Sequence, residues 1–353
     1  MLKKRIRIKN KYIEIPLIQG GMGIGISRCR LAGAVAKEGG MGVLSTAQIG
    51  YDAPDFKRHP EETNLEVLPV QIRKARELSG GNGMIGVNIM AVTQLYGDYV
   101  RTACEAGVDA IITGAGLPTD LPKYAAGYDV AIAPIVSTEK SAKVILKFWD
   151  KRYQRTADFL VIEGPQAGGH LGFSPEELAQ VEQIDYDGEI KRILGVKEIY
   201  EEKYQVKIPV FVAGGIFSKE DVRHALSLGA DGVQAASRFV ATEECDASDA
   251  FKYAYIFADE EDIAIIKSPV GMPGRAVKNK FIEKVQNAPG GVKGCYNCLK
   301  ACNPATAEYC ISQALINAVE GNLDEGLIFC GLRTGEIREI STVRQVVEEL
   351  LEC

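Results

Sequence analysis

The run Val210-Phe211-Val212-Ala213-Gly214-Gly215-Ile216, continued through residues 217–228 to Gly229-Ala230-Asp231-Gly232-Val233-Gln234-Ala235-Ala236-Ser237-Arg238-Phe239, decides how this chain folds. Residues 208–213 are an apolar, β-branched strand ending on a glycine pair, and residues 218–228 carry helical spacing. Residues 231–235 form a second apolar strand that ends in small polar residues. Strand, helix and strand over so short a span make a βαβ unit, in which the two strands run parallel. The glycines after the first strand and the turn after the second offer backbone N–H groups to an anion, helped by a helix N-terminus. That pairing matches the phosphate site at the last two strands of many (β/α)8 barrels, so a phosphorylated ligand is expected; read alone, the glycine pair is only a tight turn.

Upstream the same alternation recurs. Apolar runs at 15–18, 41–45, 84–90, 109–113, 130–136 and 158–162 read as strands. Helical patterns at 29–37, 67–79, 94–107 and 138–149 separate them, with a polar loop around 54–60. Eight nearly all-apolar strands point to a parallel sheet covered on its outer face, and a closed (β/α)8 TIM barrel fits the count better than an open sheet. The fold class is therefore α/β, with a helical insertion and C-terminal extension. Glycines and polar residues gather after these strands, at 20–23, 45–46, 88, 113–114, 137, 163–170, 214–215 and 234–237. In a barrel all of those ends share one rim, where ligands bind.

The sixth strand runs into Glu163-Gly164-Pro165-Gln166-Ala167-Gly168-Gly169-His170, which places one of only three histidines beside glycines on that rim. An imidazole where the backbone can crowd a ligand is a candidate acid or base. His59, in a polar loop, and His224, on a helix away from the rim, carry no such expectation.

The net charge of -6 and the pI near 5.4 leave no basic stripe for nucleic acid. The short basic group Lys3, Lys4, Arg5 and Arg7 reads as a solvated strand start. No apolar run spans a bilayer and no signal-peptide core is evident, so no membrane partner and a cytoplasmic location are expected. The glycines at 20–25 lack the full dinucleotide fingerprint, and Ser45-Thr46 stands where an acidic partner would close the second strand. No lysine sits in a Schiff-base or P-loop context.

Five separated motifs in order then carry a family resemblance: PLIQGGMG (16–23), GVN (86–88), EGPQAGGHLG (163–172), AGGI (213–216) and GADGVQAASRF (229–239), with GRAVKN at 274–279 beyond them. Over roughly residues 10–285 the chain resembles the nitronate monooxygenase (2-nitropropane dioxygenase) family, FMN-binding TIM barrels related to the flavin-dependent enoyl-acyl-carrier-protein reductases. The resemblance implies an FMN-dependent oxidation of an alkyl nitronate with O2, giving a carbonyl compound and nitrite. It implies that Gly214, Gly215, Gln234, Ala235 and Ser237 surround the FMN phosphate and that Asn88, Glu163 and Gly168 contact the flavin. Gly21, Met22 and Gly23 would then lie against its ring and His170 would act on the substrate. Residues 1–240 are expected to form the FMN-binding barrel and residues 241–353 a helical C-terminal segment.

An NAD(P)H-dependent enoyl-thioester reductase shares these flavin motifs; the charged insertion at 183–205 leans mildly against it. A barrel resembling inosine-monophosphate dehydrogenases needs a cysteine nucleophile on a rim loop, and Cys29, Cys104 and Cys245 do not stand on one. A non-enzymatic flavin or phosphate sensor is a further alternative.

Nine cysteines make an odd count, and a disulfide framework is not expected in a chain this long without an export signal. Cys295, Cys298, Cys302 and Cys310 stand close together within 295–310, a spacing that resembles the [4Fe–4S] loop of old-yellow-enzyme-type reductases and would also suit Zn2+. Thiols packed as small hydrophobes in a helical lid are the competing reading. Residues 311–319 and 343–351 read as amphipathic helices over the barrel mouth or at a homo-oligomer contact.

Overall fold

The computed structural model describes residues 2–288 and 290–352. A hairpin of β1 (Ile6–Ile8) and β2 (Lys11–Ile13) opens the chain, and Ile6, Ile8 and Ile13 pack on Met41, Met84 and Phe159 at the N-terminal end of the barrel. Strand and helix then alternate: β3 (Leu17–Gln19), α1 (Cys29–Lys37), β4 (Met41–Ser45), α2 (Pro60–Ser79), β5 (Met84–Asn88) and α3 (Tyr96–Glu105). Next come β6 (Ala110–Thr113), α4 (Leu121–Tyr124), β7 (Ala131–Val136), α5 (Glu139–Tyr153) and β8 (Leu160–Glu163). The two-residue strand β9 (Gly169–His170) precedes α6 (Pro175–Leu178) and α7 (Tyr186–Tyr204). The remaining barrel elements are β10 (Val210–Ala213), α8 (Lys219–Ser227), β11 (Gly232–Ala235) and α9 (Ser237–Val240).

Eight strands close in parallel in the order β3-β4-β5-β6-β7-β8-β10-β11, with β11 returning to β3. The expected (β/α)8 barrel is the fold. Successive strand residues alternate between two apolar layers. Ile18, Val43, Ile112, Val161 and Phe211 fill the interior, whereas Leu17, Leu44, Ile111, Ile162 and Val212 meet the helices. With both faces buried, the strands read as unbroken apolar runs. At β4 the side chain shrinks to Gly42 because a Cβ there would overlap the Ala32 carbonyl of α1, so the glycine lets the helix backbone press onto the strand.

Three differences from the sequence reading have physical causes. Helix α2 starts at Pro60, seven residues before its expected start, because proline is pre-set for a first helical turn and Glu61 and Glu62 favour that end of the dipole. The charged insertion forms α7, whose buried side is only Ile190, Ile193 and Val196, too sparse for a strong period. The segment after α9 contains strands as well as helices: α10 (Asp249–Phe257), β12 (Ile263–Lys267), β13 (Pro273–Val277), α11 (Lys280–Asn287), α12 (Ile311–Val319) and α13 (Val343–Leu350). A Pro-Gly start weakened the strand signal of β13.

Helix α13 packs against both α1 and α8 and buries Val343, Val346, Val347 and Leu350, joining the outer helical layer. Helix α12 lies over the rim instead, with Ile311, Ser312 and Leu315 facing the cavity below. Among the described residues no helix is long and apolar enough to cross a membrane.

Candidate functional site

A cavity of ≈ 290 Å³ opens at the C-terminal ends of the barrel strands. Gly21, Met22 and Gly23 after β3, Asn88 on β5, and Glu163, Gly168 and His170 on and after β8 line it. So do Gly214 and Gly215 after β10 and Gln234, Ala235 and Ser237 on and after β11. Every flavin-contact and catalytic candidate named from the sequence therefore meets in one space.

The glycines there are required by close approach. A Cβ on Gly21 would stand 2.5 Å from the Asn88 Cβ, and one on Gly23 would stand 2.6 Å from Ser45 Oγ. Gly214 and Gly215 adopt φ of 83° and 92°, a region that disfavours any side chain. The N–H of Gly214 continues the ladder toward the Gln234 carbonyl, whereas those of Gly215 and Ile216 meet no protein acceptor among the described residues, and all three residues line the cavity. Free N–H groups in a glycine turn form an anion cradle. Ser237 Oγ accepts from the Gly331 N–H at 3.1 Å, which leaves its own proton free to donate. This end of the cavity has the donor set that a phosphate monoester needs, and at Gly21 the missing side chain lets the loop after β3 close on Asn88 and Val43.

His170 is held from outside the barrel. Strand β9 pairs antiparallel with β13, His170 opposite Gly274 and Gly169 opposite Arg275. The hairpin loop between β12 and β13 brings buried Ser268 to the imidazole, with Nε2 and Oγ 2.8 Å apart. Phe329 packs edge-on against the ring at 5.0 Å between centroids. Nδ1 has no protein partner among the described residues. Burial pushes the imidazole pKa down to about 4, so the ring is neutral at physiological pH.

Burial acts in the opposite direction on Glu163, raising its carboxyl to about 7. Its side chain has no hydrogen-bond partner among the described protein groups; Tyr186 Oη instead donates to the Glu163 backbone carbonyl at 2.8 Å. Arg275, buried and with its pKa lowered by desolvation, donates through Nη1 to the carbonyls of Pro165 and Ala167 and so clamps the loop leading to His170. Ser268, Phe329, Arg275 and Tyr186 were not singled out from the sequence. Arg275 lay in the quoted segment 274–279, and the others carry no local signal because they reach the site from distant elements.

Beyond the glycine wall the cavity extends under α12. Asn64 Nδ2 donates to Gln48 Oε1 at 2.7 Å, and Gln48 Nε2 donates to Ser312 Oγ at 3.3 Å, a buried polar wall shared by the barrel and the C-terminal segment. At the rim Asn297 Nδ2 donates to Glu61 Oε1 at 2.6 Å.

The cysteine expectation needs correction. Among the described residues no group of three or more His, Cys, Asp or Glu side chains is placed to hold a metal ion. The four thiols lie close enough to influence one another but differ in setting. Cys295 is exposed, Cys298 lines the cavity, Cys302 packs on the apolar cluster around Phe281 and Leu299, and Cys310 sits at the N-cap of α12. Burial raises the Cys298 thiol to about 11. An iron–sulfur cluster or zinc site on Cys295, Cys298, Cys302 and Cys310 is not supported.

A closed barrel with a glycine-built anion cradle and a desolvated histidine on one rim is the architecture of a cofactor-dependent barrel enzyme. The chain belongs to the nitronate monooxygenase family, whose model matches residues 4–352, and it is an FMN-dependent oxidoreductase. It is similar to a probable nitronate monooxygenase of Staphylococcus saprophyticus, 24% identical over 295 residues that cover 77% of this chain and 78% of that protein. It also resembles a (3aS,4S,5R,7aS)-5-hydroxy-7a-methyl-1-oxo-octahydro-1H-indene-4-carboxyl-CoA dehydrogenase of Mycobacterium tuberculosis, 26% identical over 275 residues. The match covers 78% of this chain and 66% of that protein, just under two thirds of its length. Among solved structures, FabK from Thermotoga maritima aligns with a TM-score of 0.71 and 28% identity, covering 96% of this chain and 92% of its own.

Proposed function

We propose that this chain oxidises alkyl nitronates with FMN and O2 in the rim cavity. The observation that carries the proposal is the desolvated imidazole of His170 in the same cavity as the anion cradle at Gly215 and Ile216. The free N–H groups and the Ser237 hydroxyl fit the FMN phosphate: Gly214, Gly215, Gln234, Ala235 and Ser237 would hold it, and Gly21, Met22, Gly23, Asn88, Glu163 and Gly168 would border the ring. Bound there, FMN supplies the two-electron acceptor for the nitronate and the reductant for O2. In this division of labour residues 1–240 hold the cofactor, and residues 241–353 close the cavity and orient His170.

The protein's own part is positioning and charge. Ser268 Oγ pairs with His170 Nε2 at 2.8 Å and accepts a longer bond from the Val270 N–H at 3.4 Å; with the hydroxyl donating to Nε2, Nδ1 carries the ring proton. A neutral Nδ1–H is a donor for a nitronate oxygen, and a bound anion beside the ring would draw its pKa back upward. Glu163, protonated below about pH 7, offers a second donor within the cavity. The substrate is a small organic anion with no call on nucleic acid or membrane.

A second reading, an NAD(P)H-dependent enoyl-thioester reductase, is favoured by one observation: the Mycobacterium tuberculosis relative is named for a carboxyl-CoA substrate. The test of His170 is its replacement. His170→Ala should keep FMN, read from the visible absorbance of the purified protein, and lose most nitronate turnover. Full activity in that variant removes His170 from the mechanism.

A further inference from the structure

Behind His170 lies a second, smaller cavity of ≈ 30 Å³. It shares Met90, Ala115, His170 and Leu299 with the main cavity, so the imidazole stands on the boundary between the two. Its other walls are Val92, Val270 and Met272, and its outer end is formed by half-buried Cys302 and exposed Ala301. The side chains lining it are carbon and sulfur, His170 excepted. The ring's Nε2 is already engaged by Ser268, which faces it from the hairpin loop. A buried water needs two to four polar partners, whereas an apolar cavity of this kind stays dry and takes up xenon or other apolar molecules. The space suits about one small diatomic molecule by the same volume standard.

We propose that this apolar space, running from Ala301 and Cys302 to His170, is the passage through which dioxygen reaches the flavin cavity, separate from the mouth used by the organic substrate. The proposal rests on the reading that reduced FMN in this protein is reoxidised by O2. It gives the segment 299–302 a role as one wall of a gas route. It also places Met272 and Val270, on the loop that carries Ser268, as the residues that set the bore.

Two measurements test it on the holoenzyme. Crystals pressurised with xenon should show a xenon atom bordered by Met272, Val270 and Leu299, and a passage without xenon overturns the proposal. In stopped flow, dithionite-reduced enzyme is mixed with oxygenated buffer, so no organic substrate enters the measurement. Val92→Phe and Met272→Phe, both on the wall of the small cavity, should each slow flavin reoxidation severalfold, while the volume-conserving Met272→Leu keeps the native rate. The same variants, reduced anaerobically by a nitronate, should match wild type, which shows that the main cavity is intact. Unchanged reoxidation in both phenylalanine variants overturns the route even if xenon binds. A colourless protein that takes up no FMN defeats the flavin reading itself, and the route with it, and is distinguished by its absorbance before any mixing.

Discussion

Replacing Ser268 by alanine isolates the part of the mechanism that the C-terminal hairpin contributes. Among the described residues the hydroxyl is the single polar partner of His170 Nε2, at 2.8 Å, on a buried residue. Removing it forfeits a hydrogen bond worth about 0.5–1.5 kcal/mol net and strands a ring nitrogen, for which the cost is about 1–3 kcal/mol when fully buried. The imidazole borders the cavity and can recover part of that loss, so about 1–2 kcal/mol is the expected loss of transition-state stabilisation, or a rate lower by about 5- to 30-fold. The assay is anaerobic flavin reduction by an alkyl nitronate, followed by stopped-flow absorbance, with FMN content measured on the same sample. Ser268→Ala should keep its FMN and lose rate, and Ser268→Thr, which retains the hydroxyl, should recover much of it. A Ser268→Ala rate within about twofold of wild type would refute the claim that this contact orients the ring.

Glu163 and His170 make opposite pH contributions to the stability of flavin-free protein. Between pH 4.5 and 6.5 the folded state keeps a proton on Glu163 that the unfolded state releases, so this group lowers stability as pH rises. Over the same window the unfolded state binds a proton at His170 that the folded state excludes, so that group raises stability as pH rises. Each full shift corresponds to about 3 kcal/mol, and the two cancel where they overlap. Glu163→Gln should therefore expose a stability that climbs from pH 4.5 to 6.5, and His170→Phe one that falls over that range, both read by urea denaturation; parallel curves for the three proteins would contradict the two shifts. In the barrel wall, Gly42→Ala forces a methyl onto the Ala32 carbonyl, where backbone must move, and should cost at least about 2 kcal/mol by the same denaturation. A neutral effect would mean that α1 does not press on β4 as described.

The barrel was legible because burial on both strand faces writes itself as continuous apolar runs, and Met41–Ser45 and Cys29–Lys37 fall on the residues their patterns mark. The cavity residues were legible for a related reason. Close packing at Gly21 and positive φ at Gly214 and Gly215 demand glycine, and glycine is visible in a sequence. What surrounds His170 was not legible. Ser268, Phe329 and Arg275 reach it through the pairing of β9 with β13, a contact between residues more than ninety positions apart, and a two-residue strand has no periodicity to detect. The cysteine group misled because spacing along the chain does not fix where side chains point. Once α12 covers the rim, Cys298 and Cys302 belong to apolar surroundings.

The most direct measurement mixes the purified yellow protein, without oxygen, separately with an alkyl nitronate and with NADH or NADPH, and follows the flavin absorbance. The account predicts that the nitronate bleaches the flavin, that admitting O2 restores it with nitrite released, and that the nicotinamides leave it oxidised. Rapid bleaching by NADH or NADPH with none by the nitronate would contradict it and point to the thioester reductase.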